Sequence, residues 1–360
     1  MTEAVLLVGG QGTRLRPLTI STPKPMLPVA GVPFTTHQIL RARDAGVTRV
    51  VLGTAYKAEV FRDHYGDGRD LGVELVYVTE EHPLGTGGAI RNVADHLLSG
   101  PDDPVLVFNG DVLSGLDIGG LLKHHADTGS QVSLYLTQVP DPRAFGLVPT
   151  DESGRVSAFL EKPQTPAEIV TDQINAGCYV FRRKVIDEIP HGRPVSVERE
   201  TFPGLLESGA LLTGRVDPGY WLDLGTPLAF VRGSCDLVLG HAPSPAVPGP
   251  TGEFLVLPGA EVADDAVLRG GTVVGAGATV GAGAVVDGSV LFDSAVVEAG
   301  ATVRGSIVGR AATVGPGTHL DGVVVGDGAV LGAGNELLTG ARVWPGVALG
   351  DTTIRFSSDR

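Results

Sequence analysis

Apolar positions follow two different rhythms along this chain, and the change between them falls near residue 245. Up to about residue 240, apolar runs of strand length alternate with stretches of helical character. Ala4–Val8, Val50–Leu52, Leu75–Val78 and Val105–Phe108 are mostly apolar on both faces, as in strands covered on both sides. Thr35–Ala45 and Gly88–Leu98 read as two of the covering helices. The alternation predicts an α/β domain built on a Rossmann-like, mainly parallel sheet. Right-handed crossovers would collect the loops after the strands along one edge, where ligands bind.

The second rhythm has a period of six. Val256, Val262, Leu268, Val274, Val280 and Val286 form one run; Val290, Val296, Val308, Val314 and Leu320 form another, with Thr302 at the intervening position. Val325, Leu331, Leu337, Val343 and Leu349 form a third. One aliphatic residue per hexapeptide predicts a left-handed parallel β-helix, each hexapeptide making one side of a triangular coil with its aliphatic residue inside. The shorter steps between runs read as corner deletions or as slips in phase. His241–Pro250 carries four prolines in ten positions, the composition of a stiff linker. The expected partition is therefore a catalytic-type domain over 1–240, a linker over 241–253 and a β-helix over 254–360.

Composition narrows the possible partners. With 41 acidic against 27 basic residues, the net charge of −14 argues against nucleic acid and against an anionic membrane surface. No apolar stretch approaches the ~18 residues of a membrane span. The N-terminus reads as a first strand rather than a signal peptide. Cys178 and Cys235 have no metal-ligand spacing and read as buried thiols in a reducing compartment. These features together imply a cytoplasmic protein.

Candidate chemistry begins where the first apolar run ends, in Val8-Gly9-Gly10-Gln11-Gly12-Thr13-Arg14, followed by Pro23-Lys24-Pro25. A strand running into such a turn lets backbone N–H groups approach phosphate oxygens with no Cβ in the way. Arg14 and Lys24 add positive charge where a triphosphate would sit. Asp111 follows another apolar run, and Asp223 sits in an aromatic setting with Tyr220 and Trp221. Two such carboxylates are costly to bury unless a cation is shared between them, which points to Mg2+ held by Asp111, Asp223 and phosphate oxygens.

This opening segment resembles the signature of the sugar-1-phosphate nucleotidylyltransferases, and the resemblance continues through residue 230. Pro83-Leu84-Gly85-Thr86-Gly87-Gly88-Ala89 looks like the family's second nucleotide-contacting loop, and Phe108-Asn109-Gly110-Asp111 like its metal-binding strand end. Phe145-Gly146, Glu161-Lys162-Pro163, Asn175-Ala176-Gly177 and Trp221-Leu222-Asp223 follow the sugar and second-metal motifs in order. Ile174-Asn175-Ala176-Gly177-Cys178-Tyr179, Val197–Pro203 and Tyr220-Trp221-Leu222-Asp223 look most like the mannose-1-phosphate guanylyltransferase branch.

The resemblance implies a nucleoside triphosphate and a sugar 1-phosphate as substrates, with GTP and mannose 1-phosphate foremost. Val8, Gly9, Gly10, Gly12, Thr13, Gly85, Thr86, Gly87, Gly88, Asn109 and Gly110 would serve the nucleotide. Gly146, Glu161, Lys162, Asn175 and Gly177 would serve the sugar phosphate. Arg14, Lys24, Asp111 and Asp223 would be catalytic. The β-helix would act as a scaffold that assembles a homo-oligomer or covers the catalytic domain.

Three other readings compete. One is an acyltransferase on the β-helix, which has only His319 to offer as a base. Another is a non-catalytic relative, disfavoured because Arg14, Lys24, Asp111 and Asp223 are all present. The third is thymidylyl, uridylyl or adenylyl transfer to glucose 1-phosphate. Of the remaining residues, His124 and His125 read as a solvated helix face. His37, His64, His82 and His96 have no assigned function, and Trp221 and Trp344 read as packing residues.

Overall fold

A computed structural model describes residues 2–163, 165–250 and 252–355. Residue 251 of the expected linker and residues 356–360 of the expected β-helix lie outside them. The chain divides into two compact units. One joins Met1–Gly10 to Gln38–Trp221, and the other joins Gln11–His37 to Leu222–Arg360. In the second unit, residues 11–37 and 222–240 group with residues 241–360.

The first unit holds a nine-stranded sheet. Its strands are β1 (Thr2–Leu7), β2 (Val47–Thr54), β3 (Glu74–Thr79), β4 (Pro104–Asn109), β5 (Val132–Gln138), β6 (Gly146–Leu147), β7 (Leu160–Glu161), β8 (Gln173–Arg182) and β9 (Leu212–Val216). β1 lies parallel between β2 and β4, and β3 continues beyond β2. β8 runs antiparallel between β4 and β5, and β9 pairs parallel with β5. Ala4, Val5, Leu6, Val50, Val51, Leu52, Val105, Leu106 and Val107 are all buried, which explains strands without polar alternation. The order reverses at β1, since successive strands go to one side through β2 and β3 and to the other through β4. That reversal opens a crevice at the carboxyl ends of β1 and β4.

Two helices were expected over Thr35–Ala45 and Gly88–Leu98. The first is α1 (Phe34–Asp44). The second is α2 (Gly85–Asn92), which begins three residues early and gives way to a separate 3-10 turn at Ala94–His96. His124 and His125 lie on α3 (Ile118–Thr128) but are not a solvated face: His125 is 6% exposed, 3.0 Å from Ser133 Oγ, and His124 Nε2 is 3.0 Å from Thr213 Oγ1.

In the second unit the hexapeptides form a parallel β-helix of the left-handed hexapeptide kind, with three faces of six, six and five short strands. Val274, Leu291, Val308 and Val325 stack in register, seventeen residues apart. The inward residues of the second coil are thus Leu291, Val297 and Val303, one place later than the expected Val290, Val296 and Thr302. The step of four was a slip in phase, while the steps of five are real corners with one residue fewer. At those corners the N–H groups of Ser289, Ser306 and Val323 bond to the hydroxyls of Thr272, Ser289 and Ser306 on the preceding coil.

The proline-rich stretch makes contacts within the second unit. Ala242 and Ala246 are buried, and Ser244 Oγ sits 2.7 Å from His37 Nδ1. Helix α4 (Pro227–Val238), capped by the Thr226 hydroxyl, packs on the solenoid, with Phe230 edge-on to Phe292. Trp344, expected to pack, is instead 47% exposed.

Candidate active site

The first unit presents its candidate residues at the carboxyl ends of the sheet strands. β1 ends into Val8, Gly9 and Gly10, and β4 into Asn109, Gly110 and Asp111. Gly110 N donates to Leu7 O at 2.9 Å, and a Cβ at Gly110 would overlap that same carbonyl, so only glycine brings the two turns this close. Gln38 Nε2 donates to Asn109 O at 2.8 Å and fixes the turn from α1. Gly10 is exposed, and a Cβ there would meet no protein atom within 4 Å. Its surface is left to solvent or to a ligand.

Gly85, Thr86, Gly87 and Gly88 are the first turn of α2 rather than an open loop. The N–H groups of Gly87 and Gly88 already donate to Val195 O at 2.8 and 3.2 Å. Those two amides are therefore engaged inside the protein. Thr86 Oγ1 donates to Glu198 Oε2 at 2.8 Å and accepts from Val197 N at 2.9 Å.

Gly146 and Glu161 face each other as partners across β6 and β7, and a Cβ at Gly146 would stand 2.8 Å from Glu161 Oε2. Lys162 follows with left-handed backbone, its Nζ 3.6 Å from Glu161 Oε1. Asn175, expected on sugar hydroxyls, makes one hydrogen bond from each end of its side chain within the protein. Nδ2 donates to the Tyr179 hydroxyl at 2.7 Å, and Oδ1 accepts from Gly177 N at 3.0 Å. It therefore shapes a bulge in β8, with Gly177 against the Asn109 side chain. Trp221 does pack, edge-on to Phe145 with Nε1 donating to Ala176 O at 3.0 Å.

The second unit gathers Gly12, Thr13, Arg14, Lys24 and Asp223. Gly12 is left-handed, and a Cβ there would stand 2.7 Å from Lys24 Cβ. Thr13 opens the short 3-10 turn that carries Arg14. Thr19 Oγ1 closes the segment by donating to Gly12 O at 2.9 Å. Lys24 is largely buried, with Nζ 4.0 Å from Asp223 Oδ1. A Cβ at Gly225 would crowd both Arg14 Nη2, at 2.9 Å, and Asp223 Oδ1, at 3.0 Å. Two cations and a carboxylate thus converge around Gly225, a grouping suited to polyphosphate.

Residues 3–238 match the family described as nucleotidyl transferase. The chain belongs to that family. Residues 250–355 match the GMPPB C-terminal domain, so this nucleotidyl transferase carries a second recognised domain on its solenoid. Among its relatives is a mannose-1-phosphate guanylyltransferase of Mycobacterium tuberculosis, 61% identical over 358 residues, covering 99% of this chain and 98% of that one. The catalytic subunit beta of a Drosophila melanogaster mannose-1-phosphate guanylyltransferase is 38% identical, covering 73% of this chain and 71% of that one. The solved structure of HddC from Yersinia pseudotuberculosis is 29% identical with a TM-score of 0.56, covering 65% of this chain and 98% of that one.

One group escaped the sequence reading. Glu80 is the first residue after β3 and sits beside Gly9, with Oε1 3.5 Å from where a Cβ would stand. The rule that singled out Asp111, an acidic residue just past an apolar strand, applies to it equally.

Proposed function

We propose that this chain transfers a guanylyl group from GTP to mannose 1-phosphate, forming GDP-mannose and pyrophosphate. The observation that carries this is the 61% identity along nearly the whole length of a mannose-1-phosphate guanylyltransferase. Both reactants are anions, and the sugar phosphate is already an ionised nucleophile, so no general base is needed. The catalytic task is to hold two anions together and stabilise added charge as one phosphate oxygen attacks the α-phosphorus in line and pyrophosphate departs.

In this reading Arg14 binds the triphosphate and Lys24 the phosphate at the reacting centre. Burial of Lys24 strengthens its hold, since there is little water to compete. The glycine turn offers its open face at Gly10 to the nucleotide. Lys162 takes the phosphate of the sugar and Glu161 its hydroxyls, while Asn175 holds the adjoining wall in shape. Asp111 and Asp223 provide the hard carboxylate oxygens that Mg2+ accepts, and they would hold that ion. Bound there, Mg2+ would offset triphosphate charge. The same reading assigns the solenoid to homo-oligomer assembly and the protein to the cytoplasm.

The test is a pyrophosphate-release screen of four nucleoside triphosphates against mannose, glucose and N-acetylglucosamine 1-phosphates. GTP with mannose 1-phosphate should give the highest kcat/KM, and Asp111→Asn and Asp223→Asn should each lower kcat by about 10²-fold or more with the fold intact. A different best pair would refute the substrate assignment, and near-native rates in both variants would refute the metal assignment.

A further inference from the structure

A cavity of about 320 Å³ opens beside the segment Arg193–Val195 and takes no part in the mechanism above. Its floor is apolar: Val185, Ile189 and Val195 belong to the core of the sheet unit, and Leu205 packs against that core. Its sides are a short helix, Arg183–Glu188, and the helical stretch Phe202–Glu207. Gly204 lines it from that second helix, and a Cβ there would meet no atom within 4 Å. Neither a neighbour nor a left-handed backbone requires glycine at this position. A glycine inside a helix costs stability against alanine, and here its effect is to keep the cavity open. The rim is acidic. Glu188 forms no ion pair among the described residues, whereas Arg193 is neutralised by Glu200, with Nη1 3.0 Å from Oε2. A volume at the lower end of small-molecule sites, an apolar floor and one uncompensated carboxylate together suit a small organic cation with an apolar body.

The cavity shares a wall with the first turn of α2. Val195 N donates to Leu84 O at 2.8 Å, and Val195 O accepts from Gly87 N and Gly88 N. A Cβ at Gly87 would stand 2.9 Å from Val195 Cγ1 and 3.2 Å from Thr201 Oγ1, and Thr201 lines the cavity as well. That hydroxyl is buried with no hydrogen-bond partner among the described residues. We propose that the cavity is an effector site: it takes a primary ammonium ion bearing a short apolar chain, and its occupancy alters the binding of GTP. The ammonium pairs with Glu188, the chain lies on the apolar floor, and Val195 passes the change to the turn it holds. The coupling to GTP rests on the guanylyl-transfer reading, and the cation site does not.

Calorimetric titration of the full chain with n-hexylammonium, 1-hexanol and hexanoate compares one chain length at three charges. The cation should bind more tightly than hexanoate by about fivefold or more, an advantage that Glu188→Gln removes. Gly204→Leu, which puts a side chain where the glycine leaves space, should abolish binding of all three. With n-hexylammonium saturating, the affinity for GTP should change by about threefold or more, and GTP must change the amine's affinity by the same factor, because coupling is reciprocal. Gly204→Leu should bind GTP normally and lose that response, which separates the cavity from direct pairing of the amine with the triphosphate. Glu188→Gln, a rim substitution, serves if the leucine variant fails to fold. Equal affinities for cation and anion, or binding that survives Gly204→Leu, would overturn the site. An unchanged affinity for GTP with the amine bound would overturn the coupling. A chain that takes up the amine but no GTP would refute guanylyl transfer, and the coupling with it, and leave the cation site standing.

Discussion

His125 lies on α3 beside Lys123 and His124, yet the helix turns it onto the sheet, against Ser133. Burial, reinforced by Arg182 and His124, pushes its pKa down to about 4. The folded protein therefore holds it neutral, while the unfolded chain takes up a proton near pH 6.5. Stability present above pH 6.5 should be lost as pH falls toward 4, by on the order of 2–3 kcal/mol from this residue. Urea melts at pH 7 and pH 5 would measure it, and His125→Asn should show a smaller drop between the two. Local pattern could not give this answer, because the hydroxyls around His125 come from Ser130, Ser133 and Thr213 on separate strands and turns. The same holds for Asn175, whose partners appear only once β8 bulges. Cys178 and Cys235 were legible as buried thiols because two cysteines so spaced make neither a disulfide framework nor a metal-ligand set, and both are pushed up to about 12 by burial.

Among the elements, β1, β2 and β4 could be read because both their faces are buried, so apolar runs mark them without any need for periodicity. The start of α2 could not. Gly85, Gly87 and Gly88 are poor helix formers, and the turn forms because Val195 O receives two of their amides. The solenoid's phase was blurred for a different reason, since Val290 is buried as well as Leu291 at a corner with one residue fewer. That corner depends on a hydroxyl ladder. Ser306 Oγ donates to Arg304 O and accepts from Val323 N, fully buried. Ser306→Ala would leave that N–H unpaired and should cost about 1–3 kcal/mol. Ser306→Thr should cost less, and thermal melts of the two variants would separate them.

At the scale of the whole molecule, the candidate catalytic segment is held by the solenoid. Arg310 Nη1 donates to Thr22 Oγ1 at 3.0 Å, Ser21 Oγ to Asp327 Oδ2 at 2.7 Å, and Arg342 Nη1 to Arg16 O at 2.6 Å. Asp327 also accepts from Arg310 N at 2.9 Å, so two coils act as one grip. These residues touch the stretch between Arg14 and Lys24 or its flank, but no reacting group. Asp327→Ala combined with Arg310→Ala should raise KM for GTP and lower kcat, each by about threefold to tenfold, while KM for mannose 1-phosphate stays put. Steady-state kinetics would decide it; unchanged constants would mean the grip is only structural. No short-range signal foretold these contacts, which join residues some three hundred positions apart.

Coils of seventeen or eighteen residues set a rule for how this chain can change length. Adjacent rungs of a sheet lie about 4.8 Å apart, so insertions or losses fit the stack only as complete windings. A winding added below Arg310 would leave the solenoid sound and still carry its hold on the segment between Arg14 and Lys24 up by one rung. The distance along the solenoid therefore sets where that segment stands as firmly as any side chain within it does.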